Sequence, residues 1–356
     1  MSESLPVFLA AVVAFALAMY VALDGFDLGV GILLLTAREE ADRDRMVYSI
    51  SPIWDANETW IVLAGVTLLG GFPVVYGTLL PVFYVPLVLM LLCLAFRGTA
   101  FEFRFQTATG RKFWDYAFSL GSLGASVCQG LVVGGLLSGV KTEAGRFSGG
   151  TWDFLSPLSL LTAASLACGY ALSGAAWLNH RTAGSLQRRA RIVAASLIPC
   201  FMVLASLSAF AAARAEEKIG ARWGTALPAF GLVLGIAFLC AGLGCRLLLA
   251  RGRERGAFYA AEALMLIAFA GLGATLWPYL VPYSVTIWQA ASPAGSQLIL
   301  LVGVCVVLPF VLTYSAFAYY VFRGKVEAVE PFGAEGSAGE VGVGDLSRGA
   351  SCEDDR

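Results

Sequence analysis

Four carboxylates stand inside apolar stretches of this chain. Asp24 and Asp27 lie in Leu23-Asp24-Gly25-Phe26-Asp27-Leu28-Gly29. Asp55 and Glu58 lie in Ser51-Pro52-Ile53-Trp54-Asp55-Ala56-Asn57-Glu58-Thr59-Trp60. A charged side chain at a bilayer centre costs about 2.5–3.5 kcal/mol even on the lenient insertion scale. Such acids need a partner, a proton or a water-lined cavity, so proton handling is the first chemistry they suggest. The competing reading is structural: first-turn acids favoured by a helix dipole, or salt bridges that only hold the fold. Asp24 and Asp27 are three apart and share a helix face, as do Asp55 and Glu58. Gly25 and Gly29 have the spacing of a close helix crossing.

The elements that must position these acids are membrane helices. Hydrophobic residues make up 58% of the 356, charged ones only 14%, more apolar surface than a soluble domain of this length could hide. Apolar runs near 7–36, 52–72, 78–97, 116–138, 157–178, 192–213, 225–249, 257–278 and 298–322 predict an all-α integral membrane protein with nine transmembrane helices. The first run reads as a retained membrane helix, since no basic stretch precedes it. Ser51-Pro52 reads as the start of the second helix, with Ser as cap and Pro in the first turn. The polytopic domain is expected over 1–325 and a disordered cytoplasmic tail, rich in Gly, Glu and Ala, over 326–356.

Basic residues set the orientation. Arg38, Arg43 and Arg45 follow the first span. Arg104, Arg111 and Lys112 follow the third, with Arg97 at its end. Arg181, Arg188, Arg189 and Arg191 follow the fifth, Arg251, Arg253 and Arg255 the seventh, and Arg323 and Lys325 the ninth. The alternate loops are poorer, which predicts an outside N-terminus and a cytoplasmic C-terminus. Asp55 then lies about 6 Å and Glu58 about 10 Å from the cytoplasmic end of their span, Asp27 about 14 Å and Asp24 about 18 Å from theirs. Glu262 is again on the cytoplasmic side. The acids form an ordered series from the cytoplasm toward mid-membrane. Arg97, Glu102 and Arg104 are read as structural ion-pair residues, with Arg97 or Arg104 the candidate partner of Asp27.

Absences narrow the function. The single His, His180, sits at the end of the fifth span and cannot supply several axial haem ligands. None of the eight Cys forms a Cys-x-x-Cys pair, so neither a disulfide framework nor a zinc site is indicated. Neither a phosphate loop nor a dinucleotide fingerprint is present. A formal net charge of −1 argues against nucleic acid as a partner.

The motifs Asp24-Gly25-Phe26-Asp27-Leu28-Gly29-Val30-Gly31 and Pro52-Ile53-Trp54-Asp55-Ala56-Asn57-Glu58-Thr59-Trp60 closely resemble subunit II of the cytochrome bd-type quinol oxidases. Phe96-Arg97-Gly98, Phe101-Glu102-Phe103-Arg104, Gln129-Gly130 and Thr286-Ile287-Trp288-Gln289-Ala290-Ala291-Ser292 add to the resemblance, which covers about 5–325. Asn57-Glu58-Thr59-Trp60 resembles the cyanide-insensitive branch. Other members have His and Gln where this chain has Ile53 and Glu58, so any role of that His does not carry over.

The resemblance implies two four-helix bundles plus one peripheral helix: spans one to four over about 7–138, five to eight over about 157–278, and the last over about 298–322. It implies a larger subunit I holding two b-type haems and one d-type haem, none bound by this subunit alone. Some members carry a structural quinone in subunit II, and a small single-helix accessory subunit is common. The implied complex sits in the bacterial cytoplasmic membrane. It oxidises quinol outside and reduces dioxygen to water with cytoplasmic protons, making a proton gradient without pumping. Asp55 matches an acid on the proton route, which Glu58, Asp27 and Asp24 would continue, and Trp60 matches a Trp beside an apolar dioxygen route. No catalytic or metal-ligating residue is expected in this chain. A secondary transporter would need broken helices in paired repeats, but Pro73 and Pro81 are expected in or near a loop and Pro309 has no clear counterpart in the first half, so the repeat evidence is poor. A pure scaffold is the third reading.

Overall fold

The computed structural model describes residues 4–107, 110–143 and 146–326. The tail expected beyond Val326 lies outside the described residues. The helices in chain order are α1 (Ser4–Leu34), α2 (Glu40–Tyr48), α3 (Trp54–Gly71), α4 (Pro73–Val82), α5 (Tyr84–Gln106), α6 (Arg111–Leu137), α7 (Pro157–Arg181), α8 (Gly184–Ala215), α9 (Glu217–Ala221), α10 (Pro228–Ala250), α11 (Glu254–Leu276), α12 (Ile287–Ala290) and α13 (Ala294–Val321). Two small antiparallel ribbons, 142–143 with 146–147 and 279–281 with 285–286, and a π-helical turn at Arg222–Ala226 complete the order.

Among the described residues eight helices are long and apolar enough to cross a membrane. The pair α3 and α4, bent by 118°, makes a ninth candidate. Each matches one expected span, but three expectations need correction. Ser51 does not cap α3, which starts at Trp54 without a side-chain cap. Pro73 and Pro81 lie in the short helix α4, with Pro73 in its first turn, where a missing N–H is tolerated. The third span runs to Gln106 rather than 97, so Arg97 is well inside α5 and Arg104 is in its last turn. These cations do not end the helix because each finds carboxylate partners from other helices.

Helix α1 is the hub. It packs on α3, α6 and α7 and also touches α11 and α13. The α1–α7 crossing depends on glycine. A Cβ on Gly29 would strike the Tyr170 carbonyl oxygen, and one on Gly174 would strike the Gly29 carbonyl carbon. Removing both side chains brings the two backbones together and carries Asp24 and Asp27 into the middle of the molecule. Around this hub α5 pairs with α6, while α7, α8, α10 and α11 each pack on the next in a ring. The capping box Ser156/Ser159 and Pro157 fix the start of α7. Outward faces are apolar, for example Phe210, Leu232, Ile299 and Phe310, as lipid contact requires.

Candidate functional site

The site is assembled where α1, α3 and α5 meet. Asp24 and Arg97 are both fully buried, and Arg97 Nη2 donates to Asp24 Oδ1 at 2.6 Å. The same nitrogen reaches Glu58 Oε2 at 3.1 Å. One guanidinium from α5 thus ties an acid of α1 to an acid of α3. Contrary to the sequence expectation, Asp27 pairs with neither Arg97 nor Arg104. Its Oδ2 instead accepts from Asn57 Nδ2 at 2.7 Å, and Asn57 Oδ1 accepts from the Tyr319 hydroxyl at 3.0 Å. The reason is rotational: Asp24 and Asp27 are about 60° apart around α1, enough for one to face α5 and the other α3. Asp24 Oδ2, Asp27 Oδ1 and Arg97 Nε and Nη1 are buried without a partner among the described residues.

Asp55 stands apart from this cluster. It is exposed, in the first turn of α3, with Asn57, Trp60 and Ala64 buried on the other side of the helix. Glu58 is partly exposed, so the acids of α3 grade from the surface toward Arg97. Trp60 is fully buried, edge-on to Phe15 at 5.8 Å, in a cluster with Ala16, Tyr20 and Ala64 that Leu308 and Val311 close. Its indole N–H has no partner among the described residues.

Residues given no site role in the sequence reading extend the network. Gln129 donates to the Tyr20 hydroxyl at 2.8 Å and accepts from Tyr170 at 2.9 Å, linking α6 to α1 and α7. The Gln129-Gly130 motif held half of this signal, since a Cβ on Gly130 would strike Ala163. A second ion-paired layer lies at the α2 end. Arg104 bonds Asp115 and Asp44, each at 2.7 Å, Arg43 bonds Asp115 at 2.9 Å, and Arg111 bonds Glu40 at 3.0 Å. Asp44 and Asp115 were unremarked in the sequence because their partners are distant along the chain. Glu102 needs correction. It is exposed, accepts from Gln106 Nε2 at 3.3 Å and makes no ion pair among the described residues. The side chain of residue 102 points away from the packed face that turns Arg97 and Arg104 inward.

Comparison with known proteins gives consistent matches. The family model described as cytochrome bd terminal oxidase subunit II matches residues 5–322. The chain is 28% identical over 320 residues to cytochrome bd ubiquinol oxidase subunit 2 of Bacillus subtilis, covering 87% of this chain and 93% of that one. It is 29% identical over 350 residues to cytochrome bd-I ubiquinol oxidase subunit 2 of Escherichia coli K12, covering 85% and 90%. Among solved structures it resembles a chain of the bd oxidase from Geobacillus thermodenitrificans, with a TM-score of 0.75 and 20% identity over 90% of this chain and 98% of that chain, a likeness of fold.

Proposed function

The chain belongs to the cytochrome bd terminal oxidase subunit II family, and from that premise we propose that it delivers protons and dioxygen to haems held by its partner, subunit I. As a family member it is a multi-pass membrane subunit of a quinol:oxygen oxidoreductase. The family implies haems in the complex. In the proposed division of labour two b-type haems and one d-type haem belong to subunit I. The single His, His180, packs its ring against Phe258 at 6.3 Å and Trp177 at 6.2 Å, and one His cannot supply axial ligands to three haems.

The observation that carries the reading is the acid series around Arg97. Exposed Asp55 opens it, Glu58 and Asp24 share the guanidinium, and Asp27 lies behind Asn57. Three carboxyls to one cation would leave two uncompensated negative charges if all were ionised, so the set is built to accept protons. Water carries protons to Asp55, and the carboxyls then pass them inward. Dioxygen, being apolar, takes the greasy path bordered by Trp60 and Ala64. The N-terminus faces outside and the α2 end faces the cytoplasm, in keeping with the arginines gathered there. The two-bundle division with α13 at the edge, a single-helix accessory subunit and a structural quinone belong to the same proposal.

Steady-state oxygen consumption by the assembled complex tests it. Asp55→Asn keeps size and hydrogen bonding but cannot carry a proton. It is expected to slow turnover while quinol still reduces the haems. Trp60→Phe is expected to move the oxygen dependence and leave the quinol dependence in place. A fully assembled Asp55→Asn complex turning over at the wild-type rate across pH would make Asp55 a first-turn acid favoured by the helix dipole.

A further inference from the structure

A second file of polar groups lies on the other side of α1, and the route above does not use it. Ser173, Trp177 and His180 fall on one face of α7, at intervals of four and three residues. Trp177 Nε1 and His180 Nδ1 are buried without a hydrogen-bond partner among the described residues. Opposite them on α11 is Glu262, 8% exposed, whose carboxyl takes the Ser173 hydroxyl as its hydrogen-bonding neighbour and makes no ion pair among the described residues. Two unpartnered ring nitrogens in line with a buried carboxyl that has no ion pair among the described residues are improbable in dry packing, because each such group costs about 1–3 kcal/mol. They are accounted for if water threads between α7 and α11.

The ends of the file are also defined. At the helix ends, His180 lies beside a polar rim in which Lys325 bonds Glu254 at 2.8 Å, Gln187 donates to Glu254, and Arg181 Nη2 donates to Phe322 O at 2.5 Å. Glu262 is eight residues into α11, about 12 Å from that rim. Tyr319 of α13 lies near both Glu262 and Asp27. It is edge-on to Trp177 at 6.4 Å and joined through Asn57 to Asp27.

We propose that Glu262 is the proton-holding group of a second, hydrated inlet, which runs between α7 and α11 from His180 and converges on Asp27. This rests on the reading of the subunit as a proton supplier. A proton from water at the His180 end adds to a carboxylate oxygen of Glu262. On release that O–H bond breaks and the proton passes to water, then to the Asp27 carboxylate, with no electron moved. Asn57 cannot relay it, since an amide has no exchangeable acid of suitable strength; its role is to orient Tyr319 and Asp27. The groups facing Glu262 are Ser173, its hydrogen-bonding neighbour, and Tyr170 of α7, Cys245 of α10 and Tyr319 of α13. The α1 acids Asp24 and Asp27 are held by Arg97 and Asn57. Glu262 is in no ion pair among the described residues, so a proton is the neutralising partner the geometry leaves for it.

The test is redox-induced infrared difference spectroscopy on the assembled complex, in water and in deuterated water, with turnover followed against pH. A carboxylic C=O band that shifts in deuterated water is expected, lost in Glu262→Gln, displaced but present in Glu262→Asp, and moved in frequency by Ser173→Ala. Turnover of Glu262→Gln is expected to fall several-fold on the alkaline side, with quinol KM unchanged, and Glu262→Asp to recover part of it. If Glu262→Gln does not assemble, the other two variants decide. A wild-type spectrum with no such band, or one indifferent to Ser173→Ala and Glu262→Asp, overturns the proposal. So does a Glu262→Gln complex with wild-type spectrum and pH profile. Asp55→Asn run in parallel separates the two ideas. Loss of activity there with an inert Glu262 sinks only the second inlet, and the reverse sinks only the first route.

Discussion

Two acid-bearing regions flank α1, and they neutralise charge in opposite ways. On the α5 side, Asp24 and Glu58 share the fully buried Arg97. On the α7–α11 side, Glu262 makes no ion pair among the described residues; its carboxyl meets the Ser173 hydroxyl, and Trp177 Nε1 and His180 Nδ1, nearer the rim, are unpartnered among them. The first arrangement fixes geometry: three helices are tied at one guanidinium, and removing that guanidinium strands two carboxyls. The second fixes little, because a neutral carboxyl asks only for hydrogen bonds. The ion-paired side is therefore expected to be essential for assembly as well as for transfer, and the cation-free side essential for transfer alone.

The largest expected effect breaks the first side. Arg97→Leu leaves Asp24 and Glu58 without their cation, a change that in buried pairs costs about 3–5 kcal/mol. Little assembled complex is expected, and what remains should unfold at a markedly lower temperature in detergent. Glu262→Gln, measured in the same way, should stay within about 1 kcal/mol of wild type, because it exchanges one neutral hydrogen-bonding group for another. Equal losses in the two variants would erase the contrast.

An intermediate effect tests the link between the regions. Asn57 hydrogen-bonds both Asp27 and Tyr319. Asn57→Leu strands two buried oxygens and should destabilise the subunit by about 1–3 kcal/mol. It should also move the Glu262 infrared band, because Tyr319 loses its anchor. A band that stays in place would mean the two regions are independent.

How much of this was legible in the sequence differs by level. The spans were, since runs of about 20 apolar residues have few other uses. The errors came where charges sit inside a span. Arg97 and Arg104 read as the end of α5 because their partners Asp24, Asp44 and Asp115 are brought close only by folding. Helix α2 was hidden for the opposite reason: Glu-Ala-Asp-Arg-Asp-Arg at its start looks like a loop, yet every one of its acids is paired. In the site, the acids and Trp60 were visible as residue types out of place. That Asp24, and not Asp27, takes Arg97 depends on how α1 is rotated about its axis. No local pattern encodes that rotation; the Gly29–Gly174 contact sets it. Glu262 was visible as an intramembrane acid, but its lack of a cation is a property of three neighbouring helices.

The smallest effect is expected from a third ion pair, and it calibrates the other two. Lys141 and Asp153 meet at 3.1 Å in the loop between α6 and α7, with the lysine 76% exposed. The chemistry is that of Arg97 with Asp24, but water surrounds it and screens it. The Lys141 ammonium, with the Gly150 backbone, holds the Asp153 carboxyl below the usual carboxylate range. A depressed folded value means that this contact adds stability above the unfolded value and loses it as pH falls through the folded one. Asp153→Asn should therefore leave assembly and turnover at wild-type levels near neutral pH, with any change in unfolding temperature at the limit of detection and vanishing in acid. If this exposed variant destabilised the subunit as much as Arg97→Leu, burial would not be what gives the inner pair its weight. The contrast drawn between the two sides of α1 would then rest on the wrong variable.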